Sequence, residues 1–338
     1  MTPSTRIFSG IQPTGRKHLG NYMGAIRHYV EGQERAGAGE AFYCIVDLHA
    51  ISVAYEPTEL RERLYDTAAV LFAAGIDPER AILFRQSDVH EHTELCWLLS
   101  AVTAHGDLNR MHQFKEKSAK QRELVSAALF AYPVLQAADV LAYRANEVPV
   151  GADQRQHVEL MREIARRFNE RFAPGSTILV EPDHRIPEVG ARIMDLQDPT
   201  RKMSTTSGSD RGTVYVLDEP GEIARKIRSA VTDSGEEVRR GEGKEGIANL
   251  IEILAVVRGQ APDQVEAEYA NSRYGDFKGA VADAVADYLA PLQARYGELR
   301  GDEAELERML AQGADRARAI ASETLVDVRA AMGVGAAA

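Results

Sequence analysis

The first half of the chain alternates short apolar runs with longer stretches in which apolar residues recur every three to four positions. The short runs are rich in β-branched and aromatic residues, as buried strands are; they lie at 6–11, 41–50, 81–86 and 147–151. The helical stretches between them are 20–36, 57–75 and 91–105. Strands that alternate with helices predict a parallel sheet covered on both faces, an α/β fold.

Helical spacing dominates the later part of the chain. Residues 154–172 form one predicted helix, with apolar residues on one face and Arg162, Arg166 and Arg167 on the other. After about residue 218 the strand signals fade, and Asp302 with Glu305 has the spacing of a capping box at the start of the last helix. We therefore expect an α/β domain over 1–217, with a helical insertion at roughly 106–190, and an all-helical domain over 218–338.

Composition is that of an average globular protein and narrows the function classes. The chain has 338 residues, 44% hydrophobic and 27% charged, with a net charge of −11. This charge argues against a broadly basic nucleic-acid-binding surface, so a nucleic acid would have to be held by a local patch. No apolar run approaches the ~20 residues of a membrane helix, and no signal peptide opens the chain, so we expect a cytoplasmic protein without a membrane partner.

The cysteines give no sign of a metal site. Cys44 and Cys96 are far apart, lie in apolar surroundings and belong to no C-x-x-C motif. We expect buried free thiols in a reducing compartment and no resident metal. Trp97 and Phe114 are most simply packing residues.

The stretch "FSGIQPTGRKHLGN" at 8–21 places three glycines, Gly10, Gly15 and Gly20, between the first strand and the following helix. Ligands of open α/β folds bind at such a turn, where glycine allows close approach and a helix amino terminus favours negative charge. His18 can donate to a phosphate oxygen. By itself the pattern fits either a nucleotide site or an ordinary glycine-rich turn.

A second candidate is "DPTRKMSTTSGSDRG" at 198–212. Two adjacent cations, Arg201 and Lys202, followed by small hydroxyl residues suit a phosphate. Composition alone favours a solvated, disordered loop.

Taken together, the two stretches resemble the paired signatures of class I aminoacyl-tRNA synthetases: His-x-Gly-Asn at 18–21 and Lys-Met-Ser at 202–204. Further stretches resemble bacterial tryptophanyl-tRNA synthetases, in family order and over almost the whole chain. They are "FSGIQPTG" (8–15), "IVDLHAI" (45–51), "QFKEKS" (113–118), "YPVLQAADVLAY" (132–143), "VPVGADQRQHVEL" (148–160), "GARIMDLQDPTRKMS" (190–204), "KIRSAVTDS" (226–234) and "AAMGVG" (330–335).

The resemblance implies a Rossmann-type catalytic domain, a homodimer, and a two-step reaction. L-Tryptophan is joined to ATP, supplied as Mg²⁺–ATP, with release of pyrophosphate, and the tryptophanyl group then passes to the 3′ end of tRNA(Trp). Such chemistry depends on positioning and on the dispersal of charge.

The resemblance also implies roles for residues on the ATP side. Those implied as catalytic are His18, Asn21, Lys117, Lys202 and Ser204. Those implied to bind ATP are Gln12, Pro13 and Thr14 at its border, Gly20 and Asn21 near adenine and phosphates, Gly151, Ala152 and Asp153 at the ribose, Ile193 along the adenine, and Lys202, Met203, Ser204, Thr205 and Thr206 of the signature loop 202–206.

For the amino acid, the resemblance implies an indole pocket. Its walls would be Phe8, Gly10, Tyr132, Asp139, Val148 and Val150, with Tyr132 and Gln154 holding the α-ammonium group. A buried carboxylate is costly unless it accepts hydrogen bonds, and the indole N–H is a donor only, so Asp139 suits tryptophan. His49 is either a core histidine or part of the pocket wall, and the apolar members of this set are also plausible core residues.

Two positions depart from the family. Thr205 and Thr206 stand where the family usually continues with Lys-Ser, so the second lysine of the loop is missing, which should weaken the grip on pyrophosphate. Gln136 stands where many bacterial relatives have methionine, and its amide adds hydrogen-bonding capacity beside the indole or the ammonium group.

Other readings stay open. A regulatory paralogue that binds tryptophan, ATP or tRNA would fit the missing lysine, and the sister tyrosyl enzyme shares fold and signatures. For tRNA, the family uses the helical carboxy-terminal domain. Candidate basic groups are Arg225, Lys226, Arg228, Arg239, Arg240 and Lys244, whereas the arginines at 162, 166 and 167 fit a solvated helix face better.

Overall fold

The computed structural model describes residues 5–111, 125–151, 154–185, 193–204 and 208–335. Its centre is a five-stranded parallel sheet in the order β3-β2-β1-β4-β5. The strands are β1 (Ile7–Ile11), β2 (Ala41–Ile45), β3 (Ala81–Arg85), β4 (Glu147–Pro149) and β5 (Asp183–Arg185). The predicted Rossmann-type sheet is confirmed, with β1 at its centre.

Helices fill the rest of the described chain. They are α1 (Leu19–Asn21), which continues through a π-helical turn (Tyr22–Ile26) into α2 (Arg27–Ala36), then α3 (Asp47–Ala50), α4 (Pro57–Ala73), α5 (Glu91–Ser100), α6 (His105–Asn109), α7 (Ala127–Leu141), α8 (Arg155–Phe172), α9 (Pro220–Arg228), α10 (Glu245–Arg258), α11 (Pro262–Tyr269), α12 (Tyr274–Gly301) and α13 (Glu303–Met332). Short 3₁₀ turns lie at Gln86–Asp88 and Asp210–Gly212. The predicted helical carboxy-terminal region is confirmed. The domain boundary at 217/218 stays a prediction.

The alternation of side chains along the strands divides the core into two layers. Tyr43 of β2 joins the layer formed with α4, α10 and α12, while its neighbours Phe42 and Cys44 join the layer formed with α5, α7 and α8. The second layer contains Phe8 and Val148 of the predicted indole pocket, and Val150 packs against it.

Two local predictions differ from the structure. The apolar run 41–50 is a strand only to Ile45; Asp47 then begins α3, where its Oδ1 accepts the N–H groups of Leu48 and Ser87. The short strand β5 was not predicted, because its sequence is polar. The run that contains Asp139 is a helix, α7, as expected for the predicted helical insertion, and Pro133 lies inside it.

Two packing predictions are wrong. Trp97 is 78% exposed, so it does not pack in the core. Both cysteines are free thiols, but only Cys44 is buried; Cys96 is half-buried on α5. Phe114 lies outside the described residues. A helical period fixes which residues share a face, but not which faces another element covers.

The last helix returns to the sheet. Its N-cap is Asp302, whose carboxylate accepts the N–H of Glu305 at 3.0 Å, as the sequence predicts. Further along, Glu307 pairs with Arg85 at the end of β3 (2.7 Å), and Gly313 lies against the Leu83 carbonyl. The helical tail is thereby packed on the edge strand of the sheet.

Candidate active site

The loop after β1 is held in place by its own lysine. The Lys17 ammonium donates to the carbonyl oxygens of Gln12 (3.0 Å) and Thr14 (3.3 Å). Gly15, between Thr14 and Lys17, has φ +62°, a conformation that glycine adopts without strain. Burial, with a further contribution from Arg63, lowers the pKa of Lys17 to about 8. The loop predicted to border ATP is therefore closed on itself before any ligand binds.

His18 and Asn21 form a reciprocal cap at the start of α1. The His18 Nδ1 accepts the Asn21 N–H at 3.2 Å, and the Asn21 Oδ1 accepts the His18 N–H at the same distance. Burial, reinforced by the positive charges of Lys202 and Lys17, lowers the pKa of His18 to about 4. The ring is neutral at physiological pH. Because Nδ1 accepts, the ring proton lies on Nε2, which is the donor available to a phosphate.

The second predicted stretch lies directly beside the first. Ile193 packs on Gly20, where an added Cβ would lie 3.6 Å from the Ile193 Cβ and 3.1 Å from the His18 ring. The Met203 N–H donates to the Ile193 carbonyl (3.1 Å), which folds the signature stretch back on itself. The charge of Lys202 acts on the His18 ring. The structure therefore brings together two stretches that are about 180 residues apart.

A third segment joins the two stretches. The Leu19 N–H donates to the Val214 carbonyl (2.8 Å), and the Val216 N–H donates to the Lys17 carbonyl (2.9 Å). Tyr215 lies between them, paired with His18 in an isolated antiparallel bridge. Contacts made by main-chain hydrogen bonds leave no side-chain pattern in the sequence, so the sequence analysis did not predict this pairing.

Asn249 is another anchor that the sequence did not reveal. From α10, its side-chain amide accepts the Met194 N–H (2.8 Å) and donates to the Met194 carbonyl (3.0 Å). It is buried. The signature stretch is thereby fixed to the helical tail.

The predicted amino-acid pocket lies on the other side of β1. Tyr132, Gln136 and Asp139 have the spacing of one face of α7, and Phe8 and Val148 belong to the same core layer. Gln136 is half-buried, and Val150 packs against the layer from its edge. The Tyr132 hydroxyl bonds to the His157 Nε2 at 2.8 Å. The helix face of α7 thus lies in the layer to which Phe8 and Val148 also belong.

Asp139 is the electrostatic centre of this group. It is 1% exposed, and its carboxylate accepts the Gln86 amide (2.7 Å), the His92 Nδ1–H (2.7 Å) and the His49 Nε2–H (2.8 Å). Burial alone would raise the pKa of Asp139, but the hydrogen bonds and charges of the two histidines outweigh it and hold the pKa well below its usual range. Asp139 is an ionised acceptor that the fold keeps in place.

The structure agrees with both roles that the sequence suggested for His49, a core histidine and a residue of the pocket wall. It is buried and bound to Asp139, as a core histidine would be, and its ring lies edge-on to Tyr132 with 6.3 Å between centroids. Gln86 and His92, the other partners of Asp139, were not predicted. A carboxylate in the apolar run of α7 required donors from somewhere, but the sequence did not indicate where they lie.

The remaining predicted residues lie at the rim or outside the described chain. Pro13 and Met203 are buried, whereas the following are exposed: Gln12, Thr14, Gly151 and Lys202. Gly10 is the exposed residue of β1, which ends one residue later at Ile11. Ser204 and Gln154 are half-buried. The predictions for Lys117, Ala152, Asp153, Thr205 and Thr206 fall outside the described residues.

Two of the candidate tRNA-binding cations are not at the surface, so the structure contradicts these two candidates. Lys226 is 1% exposed and bound to Asp218 (2.7 Å), because it joins α9 to the segment that precedes it. Lys244 is buried against Asp233 and Tyr274. Arg225 and Arg239 are exposed and pair with neighbouring glutamates, Arg240 pairs with Glu266, and the arginines of α8 pair with Glu163, Glu181, Asp183 and Asp107.

Comparison with known proteins decides the family. Residues 2–290 match the family described as tRNA synthetases class I (W and Y). The chain belongs to this family. It is 47% identical over 323 residues to tryptophan–tRNA ligase 2 of Streptomyces avermitilis, covering 95% of this chain and 94% of that one. It is also 47% identical to the tryptophan–tRNA ligase of Oceanobacillus iheyensis, covering 97% and 98%.

A solved structure supports the same class I synthetase assignment. The crystal structure of tryptophanyl-tRNA synthetase from Campylobacter jejuni, complexed with ADP and tryptophan, superposes with a TM-score of 0.85 at 32% identity. The match covers 98% of this chain and all of that one (100%). In the part of the chain that the structure describes, no helix is long and apolar enough to cross a membrane.

Proposed function

We propose that this class I synthetase is a tryptophan–tRNA ligase. It activates L-tryptophan with ATP to tryptophanyl-AMP and pyrophosphate, and then transfers the tryptophanyl group to the 3′ end of tRNA(Trp). The observation that carries the proposal is the meeting of the two signature stretches beside a pocket that holds one buried, ionised acceptor. The named relatives are tryptophan enzymes, and they share nearly half of its residues over almost its full length.

In the first step the tryptophan carboxylate oxygen attacks the α-phosphorus, and the bond to the bridging oxygen of pyrophosphate breaks. Neutral His18 donates from Nε2, and the ammonium of Lys202 stabilises charge on the leaving group. Asn21, Lys117 and Ser204 complete the catalytic set. The residues proposed to hold ATP are Gln12, Pro13, Thr14, Gly20, Gly151, Ala152, Asp153, Ile193, Met203, Thr205 and Thr206.

Magnesium enters this proposal as part of Mg²⁺–ATP. Over the described residues, no group of three or more His, Cys, Asp or Glu side chains could hold a metal ion. We propose that the cation arrives with the phosphates that it neutralises.

For the amino acid, we propose that Asp139 accepts the indole N–H and that Phe8, Gly10, Val148 and Val150 enclose the ring. Tyr132 and Gln154 hold the α-ammonium group, with His49 and Gln136 at the wall. A site built to hydrogen-bond one ligand group rejects analogues that lack it by ~10⁴-fold or more. Such a pocket requires no hydrolytic editing.

For tRNA, we propose that the helical region 218–338 reads the anticodon while 1–217 performs the chemistry. The net charge of −11 means that tRNA must meet a local patch. Arg225, Arg228, Arg239 and Arg240 remain candidates, because the structure places each at least partly at the surface.

We further propose a homodimer, through the face of α5 that carries Trp97. A tryptophan that is 78% exposed is unusual on a free surface, and aromatic residues are enriched at interfaces. Trp97→Lys is expected to convert a dimer to a monomer in sedimentation experiments, while Val231→Lys, at another exposed apolar position, is expected to remain dimeric. A dimer of both variants would contradict this interface. The two free thiols fit a cytoplasmic location.

The decisive experiment is amino-acid-dependent ATP–pyrophosphate exchange, with tryptophan and tyrosine offered separately. Exchange with tryptophan alone is the expected result, and exchange with tyrosine would assign the sister activity. Thr205→Lys restores the second cation of the loop, and we expect it to raise the exchange rate about tenfold, the effect of one charge-assisted hydrogen bond.

The regulatory reading gives a different result. In that case the unaltered protein binds tryptophan and ATP but shows no ATP–pyrophosphate exchange with either amino acid. If exchange then appears only in Thr205→Lys, the protein is a catalytically weak paralogue. Charging of tRNA(Trp) by the unaltered chain would exclude it.

A further inference from the structure

The hydrogen bonds around Asp139 extend to a tyrosine that the proposed reaction does not use. The Tyr143 hydroxyl lies 2.6 Å from the His92 Nε2, and the His92 Nδ1 lies 2.7 Å from the Asp139 Oδ1. Neither Tyr143 nor His92 has any exposed surface (0%). Buried polar groups are costly unless each one is satisfied, so three such groups in a row need one another.

The direction of the hydrogen bond at the Asp139 end of this row is fixed. Ionised Asp139 can only accept, so His92 donates from Nδ1. The other ring nitrogen, Nε2, bonds to the Tyr143 hydroxyl. Burial raises the pKa of Tyr143 well above its usual range, so its hydroxyl keeps its proton.

The far end of the row is rigid. The Tyr143 ring stacks on Phe42 (4.5 Å between centroids) and on Phe8 (5.5 Å), residues of β2 and β1. The His92 ring lies edge-on to Phe84 of β3 at 5.8 Å. Aromatic residues of three neighbouring strands thus hold the two rings of the row in place.

The row acts on one side of the carboxylate. Among the hydrogen bonds of the described residues, Oδ1 accepts two, from His92 and Gln86, and Oδ2 accepts one, from His49. A carboxylate offers about four lone-pair positions. The open position is therefore on Oδ2, the side of His49 and Tyr132.

We propose that Tyr143 and His92 are positioning residues that hold the Asp139 carboxylate with its open Oδ2 lone pair toward the amino-acid substrate, and so determine the selection of a ring with an N–H donor. This inference rests on the proposed function, since it concerns the same pocket. Neither residue touches the substrate; each acts through Asp139.

The test compares tryptophan with 3-benzothienylalanine, in which sulfur replaces the ring N–H, in ATP–pyrophosphate exchange. The measured quantity is the selection ratio, kcat/KM for tryptophan over kcat/KM for the analogue. Tyr143→Phe keeps both stacking contacts and removes only the hydroxyl. We expect it to lower the ratio about three- to tenfold, with kcat/KM for the analogue within about twofold of the unaltered enzyme.

Tyr43→Phe is the matched control. Its hydroxyl is equally buried and donates to the Tyr29 carbonyl at 2.5 Å, but it lies in the other core layer. It should leave the ratio unchanged. His92→Leu removes the donor to Asp139 and should lower the ratio at least tenfold, whereas His92→Asn keeps a donor near the Nδ1 position and should recover most of that loss.

The possible results are distinguishable. An equal fall of both kcat/KM values in Tyr143→Phe, or the same ratio in all variants, would overturn the positioning role, because a purely structural defect affects both substrates alike. Unaltered enzyme without tryptophan-dependent exchange would instead overturn the proposed function. In a further outcome, the unaltered enzyme shows tryptophan-dependent exchange with the same kcat/KM for the analogue. That result would overturn the positioning role alone, since Asp139 would then not recognise the ring N–H.

Discussion

At the scale of single residues, environment decides the chemistry of each ionisable group. His18 and Asp139 are both buried, yet His18 is neutral and Asp139 is charged. His18 lies near the cations Lys202 and Lys17, so burial and charge act on it in the same direction. Asp139 receives hydrogen bonds from two histidines, which oppose the effect of burial and exceed it. The site thereby holds a neutral donor and an anionic acceptor on opposite sides of β1.

The pKa of His18 predicts a pH dependence of stability. Its value of about 4 lies below the unfolded value of 6.5, so the unfolded chain binds the proton more tightly. The contribution is complete above pH 6.5 and is lost as pH falls toward 4; between pH 7 and 5 the free energy of unfolding should fall by about 2 kcal/mol on this account. Urea unfolding of the unaltered chain and of His18→Asn would measure it. Equal pH slopes for the two proteins would contradict the prediction.

At the scale of elements, two helices carry features that their local sequence explains. The π-helical turn Tyr22–Ile26 follows directly after Asn21. Such turns within helices are frequent at functional sites. α13 depends on the residue before it, the N-cap Asp302, whose carboxylate caps the helix.

Removal of this cap gives a local stability prediction. Asp302→Ala should lower the free energy of unfolding by about 1 kcal/mol, because the Glu305 N–H loses its acceptor. Asp302→Asn keeps an acceptor oxygen and should change stability by only a few tenths of that. A thermal melt of the three proteins is sufficient, and a loss as large in the asparagine variant would show that charge rather than capping matters.

Gly313 predicts a clash where α13 crosses the sheet. A Cβ at this position would overlap the Leu83 carbonyl, a backbone group of β3 that cannot move cheaply. Gly313→Ala should therefore destabilise the chain by about 1–3 kcal/mol. Gly297→Ala in α12 is the matched control: nothing lies within 4 Å of its Cβ, and relief of glycine's flexibility should stabilise the helix by about 0.5–1 kcal/mol. The same sign for both substitutions would contradict this packing.

At the scale of the whole molecule, a charge cluster with a buried centre, Asp218 and Lys226, joins the first signature to the helical region. The Asp218 carboxylate accepts the Lys226 ammonium (2.7 Å) on one oxygen and the Arg16 guanidinium (2.9 Å) on the other. Arg16 lies two residues before His18, and it also stacks on Tyr215, 3.8 Å from the ring centroid. The placement of His18 thus depends on a helix 200 residues later in the chain.

This link can be broken from its distant end. Lys226→Met leaves Asp218 with one of its two cations, and we expect the free energy of unfolding to fall by about 2–4 kcal/mol. In ATP–pyrophosphate exchange at a permissive temperature, KM for ATP should rise several-fold while KM for tryptophan changes less than twofold. Arg225→Met, an exposed neighbour on α9, should leave both values unchanged. Equal rises in the two KM values of Lys226→Met would indicate a general loss of structure instead.

The sequence determined the features that depend on local physics. Strand and helix periods gave the parallel sheet and the helical tail, and the glycine-rich turn with His18 and the stretch around Lys202 indicated a nucleotide site. The predictions of the sheet and of the helical tail are confirmed, because the periods of strands and helices are written in neighbouring positions. The nucleotide site stays a prediction.

Tertiary structure alone decided which groups meet. Nothing near Asp139 in the sequence names His92, Gln86 and Tyr143, because a carboxylate in an apolar helix demands donors without specifying where in the chain they lie. The same cause explains Trp97, which is exposed although it follows an apolar pattern, and Lys226, which is buried although it is charged. Side-chain chemistry sets what each residue needs, and only the packing of distant elements decides whether it obtains it.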